Sequence, residues 1–146
     1  MTRLLVDTSV VMKWFHAEGE SEVGPARDIL QAHLRGEVTA HIIDLAFYEV
    51  GNVLVRALRW DAARVSGQLD DLRAIVGAPI ALDAEMLRDA ANLAAQHSLP
   101  FYDASWAVAA RGVGVALVSA DSRLQRAGLA ESPTDTTARL RLGGLR

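Results

Sequence analysis

An α/β fold with a mainly parallel central sheet flanked by helices is predicted by three features of this sequence. The short apolar runs Leu4-Leu5-Val6 and Val115-Ala116-Leu117-Val118 read as buried strands, although periodicity alone does not separate such runs from helical segments. The stretches between them carry apolar residues at helical spacing. Strand and helix then alternate along the chain, which implies parallel crossovers and a sheet covered on both faces. No repeat, low-complexity tract or linker interrupts the pattern, so a single domain over residues 1–146 is expected.

Taken in order, Arg3–Asp7 is a strand that stops at an acid. Val10–His16 is a short helix closed by the Gly19 region. Glu20–Leu34 is a longer amphipathic helix, with Val23, Ala26, Ile29, Leu30 and Leu34 near one face and Gly36 ending it. Val38–Ile43 is strand-like. Leu45–Arg59 is a helix with a broad apolar stripe from Leu45 to Leu58, and Asp61–Val76 is another. Pro79–Leu82 is a short strand candidate. Asp83 caps a helix running to His97, and Pro100 breaks the chain before a helix from about Asp103 to Ala110. Gly114–Ser119 encloses the clearest buried strand, and Ser122–Gly128 makes one or two helical turns. Ser132–Thr136 reads as a loop, and Thr137–Leu142 as an edge strand, because Leu140 and Leu142 alternate with Arg139 and Arg141.

Composition narrows the class. The longest uninterrupted apolar run is the five residues Trp106–Ala110, against the roughly 20 that cross a bilayer. Asp7 ends the first apolar run before a signal-peptide core forms, so a cytoplasmic protein without membrane contact is expected. The absence of cysteine excludes disulfides, thiolate metal sites and cysteine nucleophiles. Fifteen basic residues against eighteen acidic ones, a formal charge of −3, disfavour a nucleic-acid partner only if the acids are evenly spread. Four acids gathered in one pocket would leave the rest of the surface close to neutral. Fourteen of the basic residues are Arg and only Lys13 is Lys. Arg suits bidentate phosphate contact, and a GC-rich genome produces the same bias.

Ligands of open parallel sheets bind beyond the carboxyl ends of the strands. Asp7 follows the first strand and Asp121 the Val115–Val118 strand, so both are expected at that rim. Asp103 lies at a helix start, which in such folds faces the same rim. Glu49 sits within an otherwise apolar helix, with Asn52 and Arg56 on its face. Each acid alone has an ordinary reading as a helix cap or a solvated side chain. Together, carboxylates crowded at one rim repel by about 1–4 kcal/mol per pair at 4 Å, and a divalent cation removes that cost. An all-oxygen donor set favours a hard ion such as Mg²⁺ or Mn²⁺. Arg56 and Arg59, near the Glu49 face, are candidate phosphate contacts, or simply basic residues favoured at a helix end.

Four segments carry a family resemblance: Val6-Asp7-Thr8-Ser9-Val10-Val11-Met12-Lys13-Trp14-Phe15, Glu49-Val50-Gly51-Asn52-Val53-Leu54, Leu99-Pro100-Phe101-Tyr102-Asp103-Ala104-Ser105 and Leu117-Val118-Ser119-Ala120-Asp121-Ser122-Arg123-Leu124. In this order and at these separations the sequence resembles a PIN-domain ribonuclease of the VapC toxin type. The tail after Gly128 matches only loosely. The resemblance implies a PIN-like three-layer fold and an endoribonuclease that is the toxin of a toxin–antitoxin pair. It makes Asp7, Glu49, Asp103 and Asp121 the catalytic acids. Asp7 and Asp103 would be direct ligands of one or two Mg²⁺ or Mn²⁺ ions, with Asp121 binding a second ion or only positioning water, and Glu49 a ligand or a base acting through water. Ser9 and Ser119 match polar positions that support the acids, and Asn52 would orient Glu49 or contact RNA. The implied partners are an RNA (tRNA, rRNA or mRNA), a cognate antitoxin protein and a second copy of the chain in a homodimer. Two rival readings use the same residues. An aspartate-based phosphatase or phospho-acceptor would also place Asp7 after a strand, but has Ser9 where a second Asp is expected and only Lys13 as a lysine. A non-catalytic RNA- or partner-binding module would keep the fold without turnover.

Overall fold

The structure is a computed structural model that describes residues 1–144. In chain order the elements are β1 (Thr2–Val6), α1 (Thr8–Phe15), α2 (Val23–Leu34), β2 (Val38–His41), α3 (Leu45–Arg56), α4 (Ala62–Val76), α5 (Ala84–His97), α6 (Phe101–Val113), β3 (Ala116–Val118), α7 (Ser122–Arg126) and α8 (Pro133–Leu140). The strands form one parallel sheet in the order β2-β1-β3, with Thr2 opposite Val38 and Val6 opposite Val118. Successive strand residues face opposite sides of a sheet. Leu4, Leu5 and Val6 are nevertheless all fully buried, so both faces of β1 are covered. Each of these side chains contributes about 1.5–3 kcal/mol by leaving water. The covering helices are α2 beside β2 and α6 across β1 and β3, with α5 packed on α6 and α8 on α2. Among the described residues, no helix is long and apolar enough to cross a membrane.

Local chemistry sets the element ends that matter to the rim. α1 starts at Thr8 rather than Val10, because the Asp7 side chain accepts from the Ser9 and Val10 amides as an N-cap. The Trp14 indole donates to the Ala26 carbonyl at 2.9 Å and fixes α1 against α2. α3 stops at Arg56, and Arg59 lies beyond it with φ +58°. α6 begins at Phe101 directly after Pro100, which puts Asp103 inside its first turn, and it continues to Val113 before Gly114 turns the chain at φ +72°.

Two expected strands are not strands. Pro79–Leu82 contributes only the single parallel bridge Ile43–Ile80, closed by the Ile80 amide donating to the Ile42 carbonyl at 2.8 Å. Thr137–Leu142 belongs instead to α8 and its C-terminal turn, and the expected loop 132–136 supplies that helix's start. Ser132 caps it by accepting from the Asp135 amide at 3.0 Å, and Pro133 takes the first helical position, where its missing N–H costs nothing. The Leu-Arg alternation is a helix ending. Arg141 is left-handed at φ +56°, and the Leu142 amide donates to the Thr137 carbonyl at 2.9 Å, a Schellman closure. The sheet edge beside β3 is met instead by Glu131, whose amide donates to Leu117 and whose carbonyl accepts from Ser119, both at 3.0 Å.

Candidate active site

The carboxyl ends of β1 and β3 are tied by the Asp7 amide, which donates to the Val118 carbonyl at 3.1 Å. Asp7 is only 6% exposed. Its Oδ1 accepts from the Ser9 amide at 3.1 Å, the Ser9 hydroxyl and the Val10 amide at 3.4 Å. Burial pushes its carboxyl up to about 6, against the pull of the Ser119 and Ser9 hydroxyls, with repulsion from Glu49 adding to the rise. The same Ser9 hydroxyl accepts from the Ala120 amide at 2.9 Å, and the fully buried Ser119 hydroxyl accepts from the Asp121 amide at 3.0 Å. The two serines therefore lock the strand-end loops to one another.

Glu49 projects from α3 and is half-buried. Its Oε1 accepts from the Thr8 hydroxyl at 2.7 Å and the Trp106 indole at 3.2 Å, so α1 and α6 both grip it. Asn52 lies one turn along α3, exposed, and is not among the donors to Glu49. Arg56 and Arg59 are exposed at and just past the end of the same helix.

Asp103 and Asp121 meet around a cation. Arg123 donates Nη2 to Asp103 Oδ2 at 3.1 Å and to Asp121 Oδ2 at 2.9 Å, and Nε to Asp121 Oδ1 at 3.3 Å. Asp121 also caps α7 through the Arg123 amide at 2.8 Å. Burial, with repulsion from Asp121 and Glu49, raises the Asp103 carboxyl despite Arg123, whereas the hydrogen bond from Arg123 lowers Asp121. The mutual repulsions of Glu49 with Asp7 and Asp103, and of Asp103 with Asp121, place all four acids in one electrostatic neighbourhood.

Among the described residues, no three His, Asp or Glu side chains are gathered closely enough to enclose a metal ion as they stand. Arg123 occupies the gap between Asp103 and Asp121, and Asp7 commits Oδ1 to the turn that follows β1. The donor set nevertheless suits a hard divalent ion. It is all oxygen, it carries more negative charge than Arg123 offsets, and it already accepts a cation between two of its members. Lys13 has a different employment: it is buried and paired with Glu20 at 3.0 Å.

Sequence reasoning did not single out Arg123, Thr8 or Trp106. The first two lie in the quoted motifs, Arg123 two residues after Asp121, which it contacts, and Thr8 beside Asp7 although it bonds Glu49, and Trp106 is one helical turn after Asp103. Three exposed aromatic side chains were also passed over, although each is within two residues of an acid: Tyr48 beside Glu49, and Phe101 and Tyr102 before Asp103.

A parallel sheet whose carboxyl rim collects acids from β1, α3, α6 and the β3–α7 turn defines a recognisable class of protein. The sequence matches the PIN domain family over residues 4–129, and the chain belongs to that family. Within it, the chain is similar to Ribonuclease VapC3 of Pyrobaculum aerophilum, at 32% identity over 126 residues that cover 84% of this chain and 92% of that one. The fold is shared with the crystal structure of PAE2754 from Pyrobaculum aerophilum, at TM-score 0.65 and 24% identity, covering 96% of this chain and 97% of that one. It is also shared with the structure of VapBC-1 from nontypeable Haemophilus influenzae, at TM-score 0.63 and 11% identity, covering 90% and 96%. The family match ends at residue 129, before α8 begins.

Proposed function

We propose that this chain is a single-domain, divalent-metal-dependent endoribonuclease of the VapC type, acting in the cytoplasm as the toxin of a toxin–antitoxin pair. Its partners on this reading are an RNA substrate, a cognate antitoxin protein and a second copy of itself. The observation that carries the reading is the convergence of Asp7, Glu49, Asp103 and Asp121 from four separate segments, with an arginine already bridging two of them. Similarity to a VapC ribonuclease supports the choice of RNA.

Asp7, Asp103 and Asp121 are the residues that would hold Mg²⁺ or Mn²⁺. Such an ion, when bound, lowers the pKa of water and neutralises charge on the phosphodiester. The chain's own residues supply the rest. Ser9 and Ser119 hold Asp7 in one orientation, and Thr8 and Trp106 fix Glu49 through Oε1. Glu49 is thereby set to take a proton from water as the new oxygen–phosphorus bond forms. The P–O3′ bond breaks, its oxygen gains a proton, and the products carry 5′-phosphate and 3′-hydroxyl ends. Tyr48, Phe101 and Tyr102 offer exposed rings beside the acids, on which unpaired bases can stack. Arg56 and Arg59 supply phosphate contacts at the end of α3.

The test is cleavage of total tRNA and structured rRNA fragments with Mg²⁺ or Mn²⁺, with EDTA, and with Asp7→Asn. Discrete cuts that vanish in both controls are expected. Cuts that survive both would remove the metal and Asp7 from the chemistry. A folded, metal-binding protein that makes no cuts and does not arrest growth on expression would be a binding module instead.

A further inference from the structure

Among the described residues, Arg123 is the one cation that touches two of the four acids, and its geometry has a consequence for metal loading. The side chain leaves a five-residue helix and is 52% exposed, while the next residue, Leu124, anchors that helix in the core. Its guanidinium grips Asp121 with Nε and Nη2 together and reaches Asp103 with the same Nη2. Both Oδ2 atoms therefore share a single N–H₂ group at 3.1 and 2.9 Å. A hard divalent ion binds carboxylate oxygen at about 2.0–2.2 Å and leaves no room for an N–H donor in the same gap. Its charge would also repel a guanidinium held that close. Arginine and metal ion are alternatives at Asp103 and Asp121.

We propose that Arg123 is a resident counter-ion of the acidic rim, displaced from Asp103 and Asp121 when a divalent cation loads and freed thereby to meet the phosphate backbone of RNA. This rests on the reading of the rim as a metal-dependent ribonuclease site. Without the ion, Arg123 offsets repulsion that would otherwise spread Asp103 and Asp121 apart. With the ion, that task is taken over. The freed guanidinium, on a flexible stem at the same rim, is a bidentate phosphate ligand. The metal thus competes with an internal cation, and its apparent affinity is weaker than that of the carboxylates alone.

Mn²⁺ titration by calorimetry and electron paramagnetic resonance tests this with wild type, Arg123→Ala and Arg123→Lys, each checked for folding by circular dichroism. Removing the competitor should tighten Mn²⁺ binding roughly three- to tenfold in Arg123→Ala, as expected for loss of half-exposed ion pairs. Arg123→Lys, which keeps the charge without the fork, should fall between. KM for RNA should move the opposite way, rising in Arg123→Ala, a split that a merely structural role would not produce. Without metal, Arg123→Ala should melt earlier than wild type and gain more on adding Mn²⁺. Equal or weaker Mn²⁺ binding in Arg123→Ala overturns the counter-ion role and leaves the metal site standing. No Mn²⁺ binding by any of the three folded proteins overturns the metal-dependent reading itself, and the counter-ion role with it.

Discussion

The acidic rim has two halves that treat the same side-chain chemistry differently. Asp7 and Glu49 are held by uncharged donors: the Ser9 hydroxyl and amide, the Val10 amide, the Thr8 hydroxyl and the Trp106 indole. Asp103 and Asp121 are held by a guanidinium on a solvent-facing stem. Buried neutral donors fix a carboxylate's position without cancelling its charge. Burial without a neighbouring cation raises the Asp7 pKa to about 6, against the pull of those donors. An exposed cation cancels charge and can leave. One half is therefore a fixed frame and the other an exchangeable one, and the proposed metal-dependent chemistry would use both.

The sharpest way to break this contrast is Asp7→Asn. The amide oxygen can still cap α1, since Asn is as good a cap as Asp, so fold is retained while cleavage falls by at least about a hundredfold in a single-turnover assay. The variant should also reveal the cost of the fixed frame. A carboxyl whose folded pKa exceeds its ordinary 3.8 favours the folded state fully below that value and loses this contribution as pH rises through about 6. Urea titrations of metal-free protein should thus show Asp7→Asn gaining on wild type between pH 4 and 7, by about 2 kcal/mol. A constant difference across that range would mean that Asp7 is ionised without penalty.

On the exchangeable side, Tyr102→Ala should raise KM for RNA roughly five- to hundredfold with kcat little changed, the worth of one base stacked on an aromatic ring. A fall in kcat alone would instead tie the ring to the placement of Asp103. Thr8→Val removes one neutral donor from Glu49 at nearly constant volume. It should cost about 1 kcal/mol in chemical denaturation and slow cleavage severalfold; unchanged cleavage would show that Trp106 suffices to hold Glu49. The smallest effect is expected outside both halves. Reversing Arg56 and Arg59 to Glu should weaken RNA binding and flatten its dependence on salt by about two units of log–log slope at most. An unaltered slope removes both from the RNA surface.

What was legible in the sequence was what is local. An apolar run that halts at an acid, as at Val6-Asp7, specifies a buried strand and its rim within a few residues, and Leu117-Val118 with Asp121 repeats the pattern. Pro100 marked the start of α6. The misreading of Thr137–Leu142 arose because four alternating residues fit the end of a helix as well as a strand. The deciding signal lay upstream in Ser132-Pro133-Thr134-Asp135, an N-cap with proline at the first helical position and an acid in the first turn. Pro79–Leu82 has the composition of a strand and only one bridge to show for it, because pairing is settled by what lies beside it. The grip of Arg123 on Asp103 spans twenty positions of sequence and no local rule foresees it. The same holds for the Trp106 bond to Glu49, which depends on how α3 and α6 meet.

The central strand of the sheet, β1, precedes both of its partners in the chain. Its pairing with β3 joins residues about 110 positions apart. Closing so long a loop is entropically costly and slows folding. Asp7 and Asp121 cannot become neighbours until that pairing forms. During synthesis the acids therefore stay apart until β3 has emerged, and any chemistry that needs all four waits for that pairing. Timing of this kind needs no inhibitor and is written into strand order alone.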